Sequence, residues 1–103
     1  MNKYKTIALP KLNNLKPTIE GTTLKLMEEV GEFSQVVGKF RGLSGETKVY
    51  EHNELTQKMA EELLDVAQVA VSLMFVLEEE YGINIDESLD KHIEKLRNKN
   101  YIK

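Results

Sequence analysis

The sequence predicts an all-α protein, on three observations. Apolar residues recur every three or four positions through two long stretches, both prolines lie ahead of those stretches, and no run alternates apolar and polar residues as a half-buried strand does. Residues 1–17 hold Pro10, Pro17 and the Asn13-Asn14 pair, which predicts an irregular lead-in. Thr18 then offers an N-cap for a first helix over 19–40, with Gly21 weakening its first turn. The segment "RGLSGETKVYEHN" from Arg41 to Asn53 carries Gly42 and Gly45 and no steady period, so it is a connection long enough to be mobile or to fold over something. A second helix is expected from about Glu54 to Tyr81, with Gly82 as its stop. A third, shorter helix is expected to begin at Asp86 or Glu87, run to Asn98 and close the domain, with Asp86 as its cap and Glu87 in its first turn.

Composition narrows the function. A chain of 103 residues, 41% hydrophobic and 30% charged, suits one globular domain over 1–103. The net charge of −3 and pI near 5.4 argue against gripping a nucleic acid polymer through its phosphates. Without cysteine there is no disulfide, thiolate zinc site or cysteine nucleophile, which fits a reducing compartment. The opening residues lack the apolar core of a signal peptide, and the longest apolar run, Val66 to Leu77, is interrupted by Gln68 and Ser72 and is too short to span a bilayer. The expectation is a cytoplasmic protein with no membrane partner.

The informative residues are acidic. On the first helix Leu26, Val30, Phe33 and Val37 make a stripe, with Glu29 and Glu32 as neighbours along its edge. On the second helix the stripe is Leu55, Met59, Val66, Val69, Leu73 and Leu77, and Glu62 falls inside it with Asp65 at its margin. A carboxylate in an apolar stripe must be paired, bind a metal or be protonated. Val71 and Phe75 lie off the main stripe, so the second helix is apolar on more than one side and asks for a second copy, as a dimer or a higher oligomer.

Two E-x-x-E/D pairs on two helices that pack together are the ingredients of a site for Mg²⁺ or a similar hard cation. A plainer account also exists, because Lys25 stands four residues before Glu29 and Lys58 four before Glu62, the spacing of ordinary helical ion pairs. His52 and His92 lack a second histidine at ligand spacing and read as structural or solvent-facing. Met27, Met59 and Met74 read as core, and Phe40 and Tyr50, which flank the connection, as packing residues. The basic run from Lys91 to Lys103 reads first as a solvated helix end that complements the helix dipole.

The blocks "KLMEEVGEF" (Lys25 to Phe33) and "AEELLDVAQVAV" (Ala60 to Val71) resemble the two signature blocks of the MazG-like nucleoside triphosphate pyrophosphohydrolases, an all-α group that includes dimeric dUTPases. The tail "HIEKLRNKNYI" is similar to the basic tail of many small members, although Lys99 and Asn100 stand where an arginine and a glycine are frequent. The resemblance implies metal ligands and catalytic residues at Glu29, Glu32, Glu62 and Asp65, phosphate contacts from Lys95 and Asn98, and Mg²⁺ or Mn²⁺ as cofactor. It implies cleavage of a nucleoside triphosphate to the monophosphate and pyrophosphate, with the general base left open among Glu28, Glu29 and Glu32. The competing expectation is a non-catalytic helical dimer that serves as an interaction or regulatory module. All four ligand positions are filled, which favours the enzyme.

Overall fold

Three helices, α1 (Ile19–Phe40), α2 (His52–Tyr81) and α3 (Ile85–Asn98), carry the chain in a computed structural model that describes residues 2–43, 45 and 51–103. No strand occurs among the described residues. Residues 44 and 46–50 of the connection, with Tyr50 and any packing role for it, lie outside them.

Local chemistry sets the helix ends. Thr18 has extended backbone and its Oγ1 accepts from the Gly21 N–H at 3.0 Å, which satisfies one of the free donors of the first turn. A β-carbon on residue 21 would stand 3.1 Å from that hydroxyl, so the glycine that weakens the turn also leaves room for its cap. α2 begins at His52, two residues before the expected start, and the His52 ring lies 4.7 Å from that of Phe40 at the end of α1. Gly82 closes α2 in the left-handed conformation, φ 66°, where a β-carbon is disfavoured. α3 is capped by Asn84 and not by Asp86: the Asn84 Oδ1 accepts from the Glu87 N–H at 3.0 Å, while Asp86 sits inside the first turn. The short amide side chain on extended backbone completes that turn before Asp86 is reached.

α1 and α2 run antiparallel, and their seam follows a spacing of seven. Thr22, Glu29 and Val36 are the buried positions of α1; Leu55, Glu62 and Val76 share the seam of α2, with half-buried Val69 between the last two. Glu62 therefore lies within the stripe as its spacing predicts. Glu29 lies in the seam too, which corrects the expectation of an edge position: α1 is turned so that Val30, expected inside, is 39% exposed. An apolar stripe broad enough to pack admits more than one rotation, and only the facing helix selects one.

Buried apolar packing is thin. Among the described residues Val36, Leu55 and Val76 are the buried hydrophobic ones, and Met27 and Met74 are exposed where core positions were expected; Met59 is half-buried. α3 does not close the domain against α1 and α2 as expected, because the turn at Gly82 and Ile83 carries it clear of the pair. Its apolar residues Ile85, Ile93 and Leu96 are half-buried and Leu89 is 53% exposed. The radius of gyration is accordingly 17.0 Å, against roughly 13 Å for a compact chain of about this length.

The lead-in is irregular, as its prolines predict, yet it is fastened. Gln68 Nε2 donates to the Pro10 carbonyl at 2.8 Å, Lys11 pairs with Glu79 of α2, and Asn2 exchanges hydrogen bonds of 2.8 and 3.3 Å with the backbone of Lys103. No helix among the described residues is long and apolar enough to cross a membrane.

Candidate metal centre

Antiparallel packing brings the middle of α1 to the first half of α2, and with it three carboxylates. One oxygen each from Glu29, Glu32 and Glu62 lies within 4.8 Å of the others. Glu29 is 6% exposed and Glu62 is 7% exposed, while Glu32 stands at the open side. Two lysines partly neutralise them. Lys25 Nζ lies 3.1 Å from Glu29 Oε1, and Lys58 Nζ lies 3.3 Å from Glu62 Oε1, each one helical turn before its carboxylate. The same ammonium groups also reach Glu28 at 3.6 Å and Glu61 at 3.9 Å on the exposed flanks.

The ion pairs foreseen from the spacing are thus present, but they use only half of each buried carboxylate. Oε2 of Glu29 and Oε2 of Glu62 are buried with no hydrogen-bond partner among the described residues. An ionised oxygen in that state is costly, and a hard cation with oxygen ligands is one species that relieves it. Electrostatics agree. The carboxyl of Glu32 is held above the usual carboxylate range, first by repulsion from Glu29, then by desolvation and by Glu62. Lys25 is raised chiefly by its hydrogen bond to Glu29, and Lys58 by its bond to Glu62. The donor set therefore fits a divalent cation: oxygen ligands only, surplus negative charge and unsatisfied lone pairs.

Asp65 stands outside this cluster, exposed and one turn beyond Glu62 on α2; its charge is felt at Lys58. Lys95 and Asn98 are exposed on α3, which does not pack on the α1–α2 pair, so a single chain does not gather them with the carboxylates. Glu28 points its charge to Lys25 on the exposed side. Gly31 has open space where its side chain would be, with no chain atom close by.

Beside the cluster, toward the start of α1, lies a groove of about 700 Å³. Thr22 and Lys25 of α1, Val69, Ser72 and Phe75 of α2, and Leu12 and Leu15 of the lead-in are among its walls. Lys25 belongs to both places, lining the groove and bonding Glu29. Nothing in the local sequence signals this groove, because the lead-in forms one wall only by lying along α2.

The structure is thus an all-α protein in which a carboxylate cluster that could hold a metal ion, buried at Glu29 and Glu62, is set between two long antiparallel helices with a groove alongside. The family model of the MazG nucleotide pyrophosphohydrolase domain matches residues 17–101, and the chain belongs to that family. Comparison with curated proteins and with solved structures gave no match.

Proposed function

We propose that this protein is a Mg²⁺-dependent nucleoside triphosphate pyrophosphohydrolase that splits its substrate between the α- and β-phosphates. One observation carries the reading: Glu29 and Glu62 each present a buried oxygen, unpartnered among the described residues, beside Glu32, in a cluster whose donor set could hold a cation. A divalent cation held there supplies charge neutralisation for the phosphate oxygens.

The chain's own groups have distinct parts. Glu29 and Glu62, fixed by the seam, would hold the cation, and Asp65, exposed one turn further along α2 and outside the cluster, would join them only by turning its side chain inward. Glu32 is the exposed member, so it is the carboxylate an incoming water reaches, and its proton-holding tendency suits it to take the water's proton. As the water oxygen bonds to phosphorus, the bridging oxygen leaves with pyrophosphate. The groove receives the nucleoside half, with Phe75 as an aromatic wall.

Self-association completes the assembly as a dimer or tetramer. Leu63 and Leu64 of α2, Leu24 and Met27 of α1 and Leu89 of α3 are exposed apolar residues that a second copy would cover. Lys95 and Asn98 then serve phosphates at a neighbouring copy's cluster. A cysteine-free chain suits the reducing cytoplasm.

The test is pyrophosphate release from a panel of ribo- and deoxyribonucleoside triphosphates with Mg²⁺ or Mn²⁺. Turnover that is lost in Glu62→Gln is expected. No turnover on any nucleotide by the wild type would leave the non-catalytic helical module in its place.

A further inference from the structure

The two lysines repeat one arrangement on two helices. Each stands four residues before a buried carboxylate, each places Nζ on Oε1, and each leaves Oε2 of the same carboxylate unpartnered. Both lysine side chains are 53% exposed, so their ammonium groups can return to water by rotation of a flexible stem. The carboxylates cannot move away in the same manner, because the seam holds them.

We propose that Lys25 and Lys58 are exchangeable counter-ions, which occupy Oε1 of Glu29 and Glu62 in the metal-free chain and leave when a divalent cation binds. The proposal rests on the metal reading above. Charge supports it: three carboxylates carry −3 and two ammonium groups +2, a net −1 that a dication at the same oxygens would turn to +1 with both ammonium groups in place, so cation and ammonium repel one another there. A lysine contact is also easier to surrender than a bidentate arginine clamp, since ammonium is a strongly hydrated point charge. The lysines thus keep the site assembled without a metal and compete with the metal for it.

The distinguishing consequence has an unusual sign. A lysine that merely supports the fold would, when removed, loosen the site and weaken metal binding. A competing lysine, when removed, tightens it. Mn²⁺ alone, with no nucleotide, should bind Lys25→Met and Lys58→Met more tightly than wild type, by about threefold or more each, from one fewer positive charge at contact distance. Lys58→Arg, which keeps the charge, should bind no more tightly than wild type. Lys91→Met serves as control, because Lys91 pairs with Glu87 on α3, away from the cluster.

Mn²⁺ binding can be followed by calorimetry and by the electron paramagnetic resonance of free Mn²⁺. In the wild type, the Nζ resonances of Lys25 and Lys58, and not of Lys91, should shift on adding Mg²⁺, which tests the exchange without any variant. Unchanged or weaker Mn²⁺ binding in both methionine variants, or Nζ resonances indifferent to Mg²⁺, would overturn the counter-ion exchange while leaving the metal site standing. Failure of wild type to bind Mn²⁺ at all would instead overturn the metal reading itself.

Discussion

Glu29 of α1 and Glu62 of α2 meet across the helical seam at positions a leucine would fill, each with one oxygen on a lysine and the other unpartnered. The site is therefore installed at the expense of the core. Glu62→Leu should remove pyrophosphate release completely and stabilise the metal-free chain by about 1–4 kcal/mol, as buried charge gives way to apolar packing. Urea unfolding in the presence of EDTA measures the gain. A loss of stability would mean that the carboxylate is worth more to the fold than to a ligand.

Mg²⁺ should stabilise the wild type as well, by relieving the same buried charge. A ligand that binds only the folded chain adds about 2.7 kcal/mol at a hundred times its Kd. Each kcal/mol raises Tm by roughly 4–8 °C for a domain of about this size. The rise should vanish with EDTA and be absent in Glu62→Leu.

The pH dependence of the metal-free chain follows from Glu32. Its folded-state pKa is raised, so its contribution to stability is complete below the unfolded value and is lost as pH climbs through the folded one. Stability in EDTA should fall as pH rises out of the acid range, and Glu32→Gln should flatten that slope. Mg²⁺ competes with the same proton, so its stabilising effect should grow over the same interval.

Two helix caps separate local from tertiary support. Thr18→Ala and Asn84→Ala should each cost about 1 kcal/mol, since each removes the acceptor for a first-turn N–H. Asp86→Ala should cost less, because Asp86 makes no such bond. Equal losses at Asn84 and Asp86 in thermal melts would contradict the cap assignment.

Association is checked by sedimentation. The exposed apolar residues Leu63 and Leu64 should make the chain at least dimeric, and Leu63→Glu together with Leu64→Glu should shift it toward monomer. A wild type that sediments as monomer at all concentrations would remove the oligomeric part of the proposed function.

The helices themselves were legible because their signals are local. Thr18 caps α1, Gly82 ends α2, and the placement of Glu62 in an apolar stripe follows from the helical period alone. The two acidic blocks likewise pointed to the family, whose model covers residues 17–101.

Tertiary structure decided what depends on a facing surface. It turned α1 so that Glu29 and not Val30 enters the seam, gathered Glu32 with Glu29 and Glu62, left Asp65 outside them, and laid the lead-in along α2 to wall a groove. It also left α3 clear of the α1–α2 pair, with Lys95 and Asn98 on it. The physical reason is common to all of these. A helical period specifies which residues share a face, whereas the rotation of that face, and the side chains it meets, are settled only by packing against residues distant in sequence.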